Sequence, residues 1–234
     1  MGQTETRMLR IVRIARIKTF ATIILFVPFV IKRYNTAMSK LITFVGVSGV
    51  GKTTLAKALA SAGDFATGFE QHDTRPFQHL CDADKRYTLH NQVDYFLLRA
   101  EQERALRTDP RPALLDGGLD VDFHGFARLF HQRGYLNDDE YALCERLYAQ
   151  LRLALPLPEL VVYLTASDEV IRQRLAARNR VNIATADDAA LLKEYLEEWL
   201  NDLPKETLLK FDVSNSDMTY RDILPELIRR IESI

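Results

Sequence analysis

The chain has 234 residues, 47% hydrophobic and 27% charged, which suits an ordinary soluble protein with room for one α/β domain and a sizeable core. Its net charge of −1 hides an asymmetry: residues 1–37 carry seven Lys/Arg against one Glu, which leaves 24 basic and 31 acidic side chains for residues 38–234. An acidic body lacks the basic footprint that a phosphate backbone demands, which argues against a nucleic-acid partner.

The first 37 residues differ from the rest. Arg7, Arg10, Arg13 and Arg16 recur at every third position, and "FATIILFVPFVI" follows. That run is shorter than the roughly 20 residues of a membrane-spanning helix, and Pro28 interrupts it. Its length suits a signal h-region, yet no clear small-x-small cleavage site follows. A membrane anchor or export signal, and an organelle presequence, are alternatives to the reading we favour: an extension outside the fold, with a natural start at Met38. The domain is therefore read from residues 38–234.

From Lys40 onward, short β-branched runs alternate with longer helical patterns, which predicts an α/β fold: a central parallel sheet flanked by helices in three layers. "LITFVGV" is a buried strand, and "KTTLAKALASA" has helical apolar spacing. "KRYTLHNQVDYFLLRAEQERALRT" reads as one long helix, and "RPALLD" as a strand ending at an acid. "DVDFHGFARLFHQRG" is helical with Gly134 as its C-cap, and "DDEYALCERLYAQLRLAL" opens with acids suited to a helix N-terminus. "ELVVYLTA" is a strand, "DEVIRQRLAARNR" and "DDAALLKEYLEEWLNDL" are helices, "TLLKFDVS" is the last strand, and "DILPELIRRIESI" closes the chain as an amphipathic helix. Cys81 and Cys144 have no metal or redox spacing and read as reduced, buried thiols of a cytoplasmic protein.

The strongest chemical signal is "GVSGVGKT", residues 46–53, a G-x-x-x-x-G-K-[ST] pattern between a strand and a helix. Gly46, Ser48, Gly49, Gly51 and Thr54 belong to a loop and helix start whose N–H groups cradle phosphates. Lys52 reaches the β- and γ-phosphates, and the Thr53 hydroxyl suits Mg²⁺. The chain therefore binds a nucleoside triphosphate such as ATP. It lacks the N-K-x-D stretch of a GTPase and is short for an ATPase machine, which leaves the small-molecule kinases.

Several downstream segments, weak singly but in the right order, resemble the deoxynucleoside kinase family across nearly all of residues 40–215. "FEQHDTRPF" resembles the stretch that places a general base, which implies Glu70. "NQVDYFLLRA" resembles the helix that carries Gln92, for the base edge, and Arg99; Tyr95 beside them could stack on a base or belong to the core. "RQRLAARNR" resembles the arginine-rich lid, which implies Arg174, Arg178 and Arg180 at the phosphates. The family also implies a homodimer and a small nucleoside substrate.

Two departures stand out. The family's third strand ends in Asp/Glu-Arg-Ser, but here it reads Asp116-Gly117-Gly118. Asp116 keeps a carboxylate suited to Mg²⁺, while the arginine is absent and two glycines permit close approach of a ligand. Asp120, Asp122 and His124 follow, and are either helix-capping and surface groups or replacements for substrate contacts; Asp120 is the one we assign to substrate. The lid also reads "VNIATADD" where the family has a glutamate. The resemblance implies transfer of the γ-phosphate of ATP to the 5′-hydroxyl of a deoxynucleoside. Phosphorylation of a nucleoside monophosphate or another small alcohol is an alternative, as is a non-catalytic nucleotide-binding regulator tethered through residues 1–37.

Overall fold

The computed structural model describes residues 38–69, 75–176 and 186–234; residues 1–37 lie outside them. Strand β1 (Leu41–Val45) is followed by helix α1 (Lys52–Ala62), β2 (Ala66–Gly68), the short α2 (Gln78–Ala83) and the long α3 (Thr88–Arg107). Next come β3 (Ala113–Asp116), a π-helical segment (Val121–Ala127), α4 (Arg128–Gln132) and α5 (Asp138–Ala154). Strand β4 (Leu160–Thr165), α6 (Asp168–Ala176), α7 (Ala186–Asn201), β5 (Leu208–Asp212) and α8 (Leu224–Glu232) complete the chain. The strands pair in parallel in the order β2-β3-β1-β4-β5, the sheet that the alternating sequence pattern predicts.

Every residue of β1 is buried, as expected of a strand covered on both faces. Side chains alternate between those faces. Ile42 and Phe44 join Leu55 and Leu59 of α1 and Leu227 and Ile231 of α8 in one core. Val45, with Val161 and Tyr163 of β4, meets Leu192, Leu196 and Trp199 of α7 on the other. A third cluster joins Phe96 of α3 to Phe123 and to Cys144 of α5. Each fully buried leucine here stabilises the fold by about 2 kcal/mol. The layers are helix, sheet, helix.

Three local features depart from the sequence reading. Helix α2 and strand β2 are too short to show a period, and the strand-to-helix pattern passes over them. The segment expected to be helical over "DVDFHGFARLFHQRG" is helical, but it runs through π-helical turns over Val121–Ala127 before α-helix resumes at Arg128. Gly125 explains part of this: a Cβ there would lie 2.7 Å from Leu192 Cδ1, so α7 packs directly on the backbone. Gly134 does end the helical run, at φ +69°. Helix α5 starts with a reciprocal capping box, Asn137 Oδ1 accepting from the Glu140 N–H and Glu140 Oε2 accepting from the Asn137 N–H.

Beneath the outer helices runs a buried chain of charges. Arg107 donates to Glu103, to Glu159 and to the carbonyls of Ser39, Pro156 and Leu157. Arg152 of α5 bridges Glu103 and Asp120. Removing one member would leave a buried charge uncompensated, at a cost of about 3–5 kcal/mol. The chain of pairs pins α3 and α5 to the start of the π-helical segment.

Candidate active site

Strand β1 ends at Val45, and the chain turns through residues 46–51 into α1. The expected phosphate-binding residues Gly46, Ser48, Gly49, Gly51, Lys52, Thr53 and Thr54 all fall on this loop and the first turn of α1. No side chain caps that helix start, so its N–H groups and positive dipole end face the loop. Lys52 Nζ donates to the carbonyls of Gly46 at 2.8 Å and Val47 at 3.2 Å, which curls the loop around the ammonium group.

The loop is braced from behind. Tyr220 is fully buried, takes a left-handed φ of +53°, and donates its hydroxyl to the Gly51 carbonyl at 3.4 Å. Gly51 has φ +116°, and a Cβ there would lie 2.0 Å from the tyrosine oxygen, so no other residue fits. Arg174, expected as a lid arginine at the phosphates, instead donates to the Val50 and Val213 carbonyls at 2.6 and 3.0 Å.

Parallel pairing of β3 beside β1 sets Asp116 opposite Phe44, level with the loop. Thr53 Oγ1 donates to Asp116 Oδ2, and Asp116 Oδ1 is buried without a hydrogen-bond partner. A hydroxyl beside a carboxylate with an unmatched oxygen fits a hard, oxygen-seeking cation. Among the described residues no three His, Cys, Asp or Glu side chains gather as a metal cluster. Mg²⁺ does not require one, because water and donor phosphates complete its shell.

A cavity of about 270 Å³ opens on the α3 side of this edge, lined by Gln92, Tyr95, Asp122 and Phe126 among others. Gln92 is buried and donates Nε2 to the Asp122 carbonyl at 2.8 Å. Arg99, also buried, donates Nε to Asp122 Oδ2 at 3.1 Å and Nη1 to the Asp116 carbonyl at 3.3 Å. Its guanidinium thus joins the phosphate end to the cavity. Gly117 makes room for it: φ is +79°, and a Cβ would stand 3.3 Å from Arg99 Nη2.

Gln92 and Tyr95 therefore line the cavity, while Arg99 braces its floor. Asp120, assigned to substrate by sequence, does not line it: Tyr148 donates to its Oδ1 at 2.7 Å, and Arg152 engages both oxygens at 2.9 Å. Asp122, two residues on, does line it, as do Asp82 and Asp188. The pair Tyr148 and Arg152, one helical turn apart, was the signal available, since it forms a clamp for one carboxylate. His124 is not a surface group either. It stacks on Trp199, with Nε2 3.1 Å from the Tyr148 hydroxyl, and burial pushes its pKa down to about 4. Glu70, Arg178 and Arg180 lie outside the described residues.

Known proteins resemble this chain in sequence and in fold. The family model described as deoxynucleoside kinase matches residues 42–233. The deoxyadenosine/deoxycytidine kinase of Bacillus subtilis (strain 168) is 26% identical over 152 residues, 64% of this chain and 70% of that protein. The deoxyadenosine kinase of Dictyostelium discoideum is 29% identical over 140 residues, 59% of this chain and 57% of the other. A solved deoxyadenosine kinase from M. mycoides with bound dCTP superposes with a TM-score of 0.67 at 18% identity, covering 83% of this chain and 100% of its own.

Proposed function

The chain belongs to the deoxynucleoside kinase family and so is a nucleoside-phosphorylating enzyme, and we propose that it transfers the γ-phosphate of ATP to the 5′-hydroxyl of a deoxynucleoside held in the α3-side cavity. One observation carries the reading: Arg99 spans from the Asp116 carbonyl, beside the phosphate loop, to Asp122 at the cavity, so the two sites share a wall.

The division of labour follows from chemistry. The curled loop and the α1 N-terminus hold the donor phosphates, and Lys52 offsets charge that gathers as the phosphoryl group leaves. Thr53 and Asp116 would hold Mg²⁺, which neutralises phosphate charge when bound. Glu70 is proposed as the base that takes the proton of the attacking hydroxyl, and Arg178 and Arg180 as further cations at the transferred group. On the acceptor side, Gln92, with a donor and an acceptor, and the Arg99–Asp122 pair match the base, and Tyr95 packs beside it. Arg174 acts through the loop it braces. Asp120 holds the floor by way of Arg152 and Tyr148.

The test is direct. Incubating the full-length chain with ATP, Mg²⁺ and each of the four deoxynucleosides yields a 5′-monophosphate from at least one. No product from any of them, despite measurable ATP binding, overturns the proposal. Glu70→Gln lowers turnover by ~10²-fold or more; a near-normal rate reassigns the base. The same reading includes a cytoplasmic homodimer, which sedimentation velocity checks, and a 38–234 kinase domain with residues 1–37 as an extension. No helix among the described residues is long and apolar enough to cross a membrane.

A further inference from the structure

Two side chains from distant parts of the sequence hold the phosphate loop by its carbonyls. Arg174 of α6 donates Nη1 to the Val50 carbonyl at 2.6 Å and Nη2 to the carbonyl of Val213, just after β5, at 3.0 Å. Tyr220, in the turn before α8, donates its hydroxyl to the Gly51 carbonyl. That carbonyl also accepts the Leu55 N–H at 3.0 Å, the first bond of α1. A peptide unit is planar and trans, so its C=O and N–H point in opposite directions. Tying back the carbonyls of Val50 and Gly51 therefore aims the N–H groups of Gly51 and Lys52 away from α6 and Tyr220.

Both holders are themselves fixed in place. A Cβ on Gly49 would lie 2.8 Å from Leu175 Cγ, so α6 rests on the loop backbone beside Arg174. Tyr220 sits at a left-handed φ of +53°, which bulky residues rarely adopt and which persists only where the surroundings over-determine it. Here they do. Asp217 Oδ1 accepts from the N–H of Thr219 at 2.8 Å and of Tyr220 at 3.1 Å. The Tyr220 carbonyl in turn accepts the N–H groups of Ile223 and Leu224, both at 3.0 Å. What this strained turn delivers is one buried phenol oxygen at Gly51. Donors that are already aimed bind an anion without reorganising first, which is the source of their strength.

Resting on the nucleotide-binding part of the reading above, we propose that Arg174 and Tyr220 are positioning residues for the donor's β-phosphate, acting on it only through the peptide units they hold. Arg174 works from behind the loop and is not a ligand of the transferred group. A diphosphate and a triphosphate present the same β-phosphate to the same N–H groups. The two nucleotides therefore gain equally from the clamp. An arginine that met the γ-phosphate would favour the triphosphate alone, which makes the two roles separable by measurement.

The test is calorimetric titration of the full-length chain with ATP, with ADP and with the four deoxynucleosides. Arg174→Met keeps the apolar stem and removes both donors; affinity for ATP and for ADP falls alike, by ~10-fold, so their ratio stays at the wild-type value. Tyr220→Phe keeps the buried ring and removes the hydroxyl, and both affinities fall together by ~3-fold. Deoxynucleoside affinity holds in both variants, and in turnover KM rises for ATP but not for the nucleoside. A loss confined to ATP puts Arg174 on the γ-phosphate and overturns the proposal. Unchanged ADP affinity in the folded variants overturns it too, as does an equal loss of nucleoside binding, the mark of a generally loosened fold. Tyr220→Phe carries the test if Arg174→Met fails to fold. A wild-type chain that binds neither ATP nor ADP leaves the clamp without an object and overturns it as well. If both nucleotides bind and weaken together as stated, yet no nucleoside is phosphorylated, the kinase reading falls and the clamp stands.

Discussion

The two halves of the site are made of different material. The phosphate side is main chain: a loop of six residues, carbonyls closed around Lys52, and an uncapped helix start. The nucleoside side is side chains: Gln92, Arg99 and Asp122 hold one another across 23 to 30 residues of sequence. A backbone device works for any nucleotide, because phosphate geometry does not vary. A side-chain device can be retuned one residue at a time, and its cost is that every buried polar group needs its partner. The difference predicts that damage on one side leaves binding on the other intact.

The largest effect is expected at Lys52. Lys52→Ala lowers kcat by ~10³-fold while calorimetric nucleoside affinity stays unchanged; a parallel loss of nucleoside binding would break the separation. Next comes Asp122→Ala, which takes the carboxylate from a buried ion pair and costs about 3 kcal/mol in denaturant unfolding and abolishes tight nucleoside binding, with ATP affinity retained. A smaller effect is read through pH. His124 is held neutral by burial, with a pKa of about 4 against the ordinary 6.5. Above pH 6.5 both folded and unfolded chains are neutral there, and stability is full. As pH falls from 6.5 toward 4, the unfolded chain takes up a proton that the fold refuses, so stability drops by about 2 kcal/mol by pH 5. His124→Phe keeps the stack on Trp199 and removes that part of the slope in thermal melts at pH 6.5 and 5. The smallest effect belongs to the junction. Gly117→Ala costs about 1 kcal/mol for its positive φ and pushes on Arg99, which raises KM for nucleoside more than KM for ATP. Equal shifts would show that the two halves are one unit.

The same contrast explains what could be read from the sequence. "GVSGVGKT" encodes its own geometry within eight residues, so the cradle, the parallel sheet and Asp116 at a strand end were all legible. Gln92 and Arg99 were suggested only through a resemblance in spacing, and Tyr95 only as a ring beside them that could equally belong to the core. Asp120 and Asp122 cannot be ranked locally, since both follow the glycines at nearly equal distance. The choice between them is made by Tyr148 and Arg152, about 30 residues away, and by π-helical turns that shift the angular positions an α-helix would give. Arg174 looked like a phosphate ligand in a run of arginines, and only the tertiary fold set it against the carbonyls of Val50 and Val213.

The strand order also says when this enzyme can first exist during synthesis. Strand β1, which feeds the phosphate loop, lies in the middle of the sheet and pairs with residues 113–116 and 160–163. A ribosome delivers the loop early and its neighbours late, so a nascent chain carries the glycines long before it has a wall to hold them. Nearly all contacts of the central strand are non-local, which slows folding and leaves a long apolar segment waiting for partners. The expected consequence is that chains truncated before residue 160 neither bind ATP nor stay in solution, whereas chains that extend through α8 acquire both properties together.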